Sequence, residues 1–172
     1  MKTTKILAET AVATALSVLL GFIPIMKMPQ GGSVSLTMLP ILLLSFRRGC
    51  PAGITAGVLY GAISLIFDGY IFHPMSILLD YILAFGIVGI AGFFPKKLPT
   101  VILGACISVF GRFLSSLVSG AVFFAEYAPA GQNPWIYSAV YQATYLLPEL
   151  VICLTALIII FLKAPSVFNP SR

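Results

Sequence analysis

The sequence predicts an all-α integral membrane protein of six transmembrane helices. Three observations carry that prediction. First, 59% of the 172 residues are hydrophobic and 9% are charged, against about 25% charged in a soluble domain. Second, the apolar residues fall into six runs punctuated by Gly, Pro and charge. Third, the basic residues gather at alternate run ends. A soluble fold of this size has too little interior for so much apolar surface, and the excess would aggregate. A soluble enzyme, a disordered tail and a coiled coil are thereby excluded, and the bilayer is the solvent.

A helix crossing the hydrocarbon needs about 20 residues, so one domain over residues 1–172 with short loops is expected. Any chemistry driven by ATP would need a partner chain. Hydropathy and Gly/Pro punctuation place the spans near 6–23, 33–47, 52–67, 76–94, 100–124 and 136–162. The first follows Lys2 and Lys5 and could be a signal peptide. Glu9 interrupts its apolar run and more spans follow, so a retained helix is expected. The second and third are short for a full crossing; tilt, cover by neighbouring loops or a thinned bilayer would accommodate them. Gly53, Gly57 and Gly61 form overlapping GxxxG steps in the third, and Gly86, Gly89 and Gly92 recur in the fourth. Ala11 and Ala15 give the first a small-xxx-small face. Small residues let helix backbones approach closely, either for internal packing or for docking on another membrane protein.

Charge supplies orientation. Lys2, Lys5, Arg47, Arg48, Lys96, Lys97, Lys163 and Arg172 fall on one side of a six-span arrangement, eight of the ten basic residues. By the positive-inside rule that side is cytoplasmic, with both termini inside. The opposite loops hold Lys27, Asp68, Tyr70, His73, Glu126, Tyr127, Asn133 and Trp135, with Asp80 and Glu149 expected within a turn or two of the same side.

Enzymatic signatures are missing: there is no HExxH, GxSxG or Walker A lysine loop. Cys50, Cys106 and Cys153 lie in or beside apolar runs and read as small buried hydrophobes. The lone His73, beside Pro74, reads as a loop cap and cannot build a zinc site. The net charge of +5 reflects topology rather than a nucleic-acid groove. No catalytic residue, metal or cofactor is expected.

Ionisable groups at membrane depth are costly and face a cavity or each other. Asp80 and Tyr81 stand in the fourth span, and Arg112 stands in the fifth ahead of Ser115, Ser116 and Ser119. Two readings stand: an Asp80–Arg112 ion pair that holds helices together, or a ligand pocket open to the outside. Aromatic supply favours the pocket. Tyr137, Tyr141 and Tyr145 follow i, i+4, i+8 spacing, one stripe of a helix, with Gln142 beside it. Rings with a carboxylate suit a flat, cationic, heteroaromatic ligand: each stacked ring gives about 0.5–2 kcal/mol of cation–π attraction, and the carboxylate adds charge-assisted hydrogen bonds.

The segments MPQGGSVSLTMLPILLLSFRRG, HPMSILLDYILAFGIVGIAG and GRFLSSLVSGAVFFAEYAPAGQNPWIYSAVYQATYLLPE, in that order, resemble the thiamine-specific S component of energy-coupling factor (ECF) transporters. The resemblance covers nearly the whole chain. It implies a six-helix, multi-pass plasma-membrane protein that captures a vitamin from outside. Its implied partners are membrane lipid, a transmembrane coupling subunit and two cytoplasmic ATPase subunits. Ala11 and Ala15 match the small-residue face implied to dock on the coupling subunit. Position by position, the resemblance implies substrate-binding roles for Asp80 and Tyr81 of the LDY motif and for Tyr70 in the outer loop. It implies the same for Arg112, for Phe124 as the ring stacked on the thiazolium, and for Tyr137 of the YS pair.

Two further implied binding positions depart from the pattern. Ser116 stands where many members have His, and Gln142 where many have Asn; Gly31 also replaces a stacking Trp of some members. The expectation is a thiamine-capture subunit with a reshaped pocket. A thiamine precursor or analogue remains an alternative ligand. A stand-alone proton-coupled carrier, with Asp80 and Glu149 as relays, and a purely structural subunit are the alternatives of other classes.

Overall fold

The computed structural model describes residues 2–69 and 73–169, apart from the side chains of Lys2 and Asp68. Tyr70 lies outside the described residues. Helix α1 spans Lys2–Gly21, α2 Met38–Arg48 and α3 Cys50–Asp68. The fourth span is a continuous coil, Pro74–Phe93. It comprises α4 (Pro74–Ile77), a π turn (Leu78–Leu83), α5 (Ala84–Val88) and a 3-10 end (Gly89–Phe93). Helices α6 (Leu98–Phe123) and α7 (Pro134–Lys163) complete six helical segments. Five of them are long and apolar enough to cross a membrane.

The second expected span, 33–47, is corrected. Helix α2 has 11 residues, roughly 16 Å at 1.5 Å per residue, about half the hydrocarbon thickness. Ahead of it, β1 (Met26–Lys27) and β2 (Ser33–Val34) form a short antiparallel hairpin with Met26 opposite Val34. Ser33, Ser35 and Thr37 break the helix because their hydroxyls compete for nearby backbone and side-chain partners. Val34, Ser35 and Thr37 are buried against the bundle, as irregular backbone at membrane depth must be.

The glycine pattern resolves to internal packing. A Cβ on Gly57 would fall on the Phe85 carbonyl, one on Gly61 on the Tyr81 carbonyl, and one on Gly89 on the Ile54 amide nitrogen. Helix α3 and the fourth span therefore meet backbone to backbone. Ala11 and Ala15 instead lie exposed on α1, beside Leu7, Val12, Leu16 and Leu19.

The apolar core fills the half of the bundle where the basic residues gather. Met38, Ile41, Leu42, Phe46, Val88, Val101, Cys153 and Leu157 pack there. Phe168, past the end of α7, inserts between Phe46 and Phe161, with ring centroids 6.2 and 5.1 Å away. At this end Glu9 accepts from Arg47 at 2.9 Å and from Arg48 at 2.6 Å. Arg47 also donates to the Ser166 and Val167 carbonyls, and Lys96 to the Arg47 carbonyl. Partial burial, with Arg47 and Arg48 nearby, holds the Lys96 ammonium below its ordinary pKa.

Candidate functional site

The opposite half of the bundle is hollow. A cavity of about 210 Å³ lies among the far ends of α1, α3, α6, the start of α7, the π turn and the hairpin. Asp80, Tyr81, Arg112, Ser116, Phe124, Tyr137 and Gln142 all line it, brought together from three separate segments.

The π turn positions the acid. Asp80 and Tyr81 sit inside it, and such wide turns re-aim side chains and recur at functional sites. The Ser115 hydroxyl donates to the Leu79 carbonyl at 2.6 Å, tying the turn to α6. Asp80 Oδ2 accepts from the Ser119 hydroxyl at 2.5 Å, and the Ser116 hydroxyl is a second hydrogen-bond neighbour of the carboxylate. The serine run after Arg112 thus cradles the acid with neutral donors.

Of the two readings, the Asp80–Arg112 ion pair is not formed. Arg112 Nη1 donates to Glu149 Oε2 at 3.1 Å, and its Cζ stands 4.2 Å from the Phe85 ring centroid. Glu149 is corrected too. It lies at the middle of the 30-residue α7, fully buried, not near a helix end. Its Oε1 accepts from Ser35 at 3.0 Å and Thr37 at 3.1 Å. A buried carboxylate needs such partners, and the segment before α2 supplies them.

The tyrosine stripe of α7 lines the cavity and binds the hairpin over it. Tyr137 donates to Gln30 Oε1 at 2.9 Å. Tyr141 donates to the Gly31 carbonyl and accepts from the Gln30 amide, both at 2.9 Å. Tyr145 donates to Gln142 Oε1, and Gln142 Nε2 donates to the Ser116 carbonyl at 3.1 Å. Gly32 has φ of 89° and faces the Tyr145 ring so closely that a Cβ would stand 2.8 Å from it. Glycine is required there on both counts. Tyr141→Phe removes both hydroxyl contacts to the hairpin, weakening its anchoring by about 1–2 kcal/mol. Faster amide hydrogen exchange over residues 26–34 is the expected readout, and exchange as slow as the parent's contradicts it.

Sequence reasoning missed Gln30, Tyr60 and Phe85, all of which line the cavity. Tyr60 and Phe85 meet edge to face at 4.5 Å. The signal available was the PQGG turn, whose paired glycines mark a tight hairpin. His73 does cap α4, accepting from the Met75 amide at 3.1 Å, with its ring stacked 4.6 Å from Phe123. Among the described residues, no three His, Cys, Asp or Glu side chains are grouped as a metal would require.

A family model described as thiamine transporter protein matches residues 7–169. The chain belongs to the thiamine transporter protein family. It is 39% identical to the thiamine transporter ThiT of Bacillus subtilis (strain 168), over 96% of this chain and 95% of that relative. It is 26% identical to the thiamine transporter ThiT of Lacticaseibacillus paracasei, over 95% and 90%. A solved structure of ThiT from Listeria monocytogenes superposes with a TM-score of 0.87 at 28% identity, covering 99% of this chain and all of that one. The relatives are named transporters, not enzymes, and this chain, with five helices long and apolar enough to cross a membrane, is a multi-pass membrane protein.

Proposed function

We propose that this chain captures thiamine from outside the cell as the S component of an ECF-type importer. The observation that carries the reading is the cavity itself: one carboxylate, Asp80, among the rings of Tyr81, Phe124, Tyr137 and Tyr141. Thiamine is a heteroaromatic cation, two flat rings joined by a methylene with the charge on the thiazolium. Stacked rings favour it by about 0.5–2 kcal/mol each, and Asp80 supplies the countercharge. Tyr70 belongs to the same set on the resemblance of its loop, and Ser116 and Gln142 shape the wall between α6 and α7. The basic end of the bundle is read as cytoplasmic, which turns the cavity outward. ATP-driven uptake is assigned to partner subunits, a membrane coupling subunit and two ATPases. The exposed Ala11 and Ala15 face of α1 supports docking on the first of these.

Isothermal titration of the detergent-purified chain with thiamine is expected to give saturable one-to-one binding. Absence of heat, with no competition by thiamine against its pyrimidine precursor, rejects the assignment. Vesicles that take up thiamine with this chain alone under a pH gradient would favour a stand-alone carrier. Uptake that needs ATP and partner subunits supports the ECF reading.

A further inference from the structure

Among the described residues, the cavity wall holds two basic side chains, Lys27 and Arg112, and one carboxylate, Asp80. In a low-dielectric site such groups attract strongly, and arginine ordinarily grips a nearby carboxylate with its fork. Here the ion pair of Arg112 is with Glu149. Asp80 is left with serine hydroxyls, and Arg112 acts on it only through space. Glu149 does not line the cavity. It is fixed from behind: Ser35 and Thr37 both donate to Oε1, leaving Oε2 for Arg112. Phe85 covers the guanidinium face. Arg112 Nε is buried without a hydrogen-bond partner, so the guanidinium keeps this position although one donor goes unused there.

We propose that Glu149, held by Ser35 and Thr37, is a positioning residue that keeps Arg112 off Asp80, so that the cavity offers a free carboxylate and prefers a cation. This rests on the thiamine reading of the cavity. Were Arg112 to sit on Asp80, an incoming cation would have to displace a guanidinium already bound there. Hydroxyl donors solvate the Asp80 carboxylate without cancelling its charge.

The test uses two probes against the purified full chain: thiamine and its uncharged thiophene analogue. The parent is expected to prefer thiamine. Glu149→Gln leaves Asp80 as the carboxylate open to Arg112. That variant is expected to lose roughly tenfold or more in thiamine affinity, with the analogue altered by less than about threefold. Adding Arg112→Gln to it recovers most of the preference, because no guanidinium remains to occupy Asp80. Should the Gln variant fail to fold, Glu149→Asp keeps the charge but withdraws it by one methylene, and the same collapse of preference is expected in weaker form. A variant that weakens both probes equally marks Glu149 as structural only and overturns the proposal, as does one that keeps the parent's preference. A parent that binds neither probe removes the thiamine reading, and this proposal with it.

Discussion

Asp80→Asn is expected to lower thiamine affinity roughly 10- to 100-fold, the loss of about 1.5–3 kcal/mol that follows when a charged hydrogen-bonding partner is made neutral. The substitution is close to isosteric, and the amide oxygen still accepts from Ser119. The π turn around residue 80 is built from backbone and the Ser115 contact, neither of which changes. What is removed is the single negative charge among the described residues of the cavity wall. No other carboxylate among the described lining residues can replace it. Titration calorimetry on parent and variant measures the effect. An unaltered thiamine affinity takes Asp80 out of the site and leaves the rings as the whole recognition element.

Gly57→Val is expected to have the second large effect, more than about 4 kcal/mol of destabilisation, in the range reserved for severe steric or burial defects. Its Cβ would fall on the Phe85 carbonyl. The obstacle is main chain, which cannot turn aside as a side chain does. The neighbours repeat the constraint: Gly61 faces the Tyr81 carbonyl and Gly89 faces the Ile54 amide. Separating α3 from the fourth span also separates Tyr60 from Phe85 and displaces Tyr81, so binding falls with stability. Leu59→Ala, on the exposed face of the same helix, is the control. Thermal melting of the purified proteins decides the matter, and a Gly57→Val curve superimposable on the parent's refutes the backbone-contact account.

The long helices and the glycine seam were legible because both depend on local pattern. An apolar run of 18 or more residues has one stable form in lipid, and glycine at every fourth position reports close helix approach. The tyrosine stripe was legible as a spacing, but its hydroxyl partners, Gln30 and Gly31, lie more than a hundred residues away. Residues 33–47 misled because average hydropathy is insensitive to where Ser35 and Thr37 fall within the run. Their partner, Glu149, is likewise more than a hundred residues distant. Counting from expected span ends placed Glu149 near the outer side, whereas α7 has 30 residues and carries it at mid-height. The π turn leaves no mark in LLDYIL that would separate it from ordinary α-helix. Which carboxylate Arg112 would choose was a question of three-dimensional geometry, and spacing along the chain could not answer it.

Phe168 makes the last stretch of the chain part of the interior. Its ring closes the core from beneath α2 and α7, while Arg47 grips the carbonyls just before it. The final helix is thus stitched at its base to the short second one, and a shortened expression variant that stops at Lys163 would leave a hole where an aromatic plug belongs.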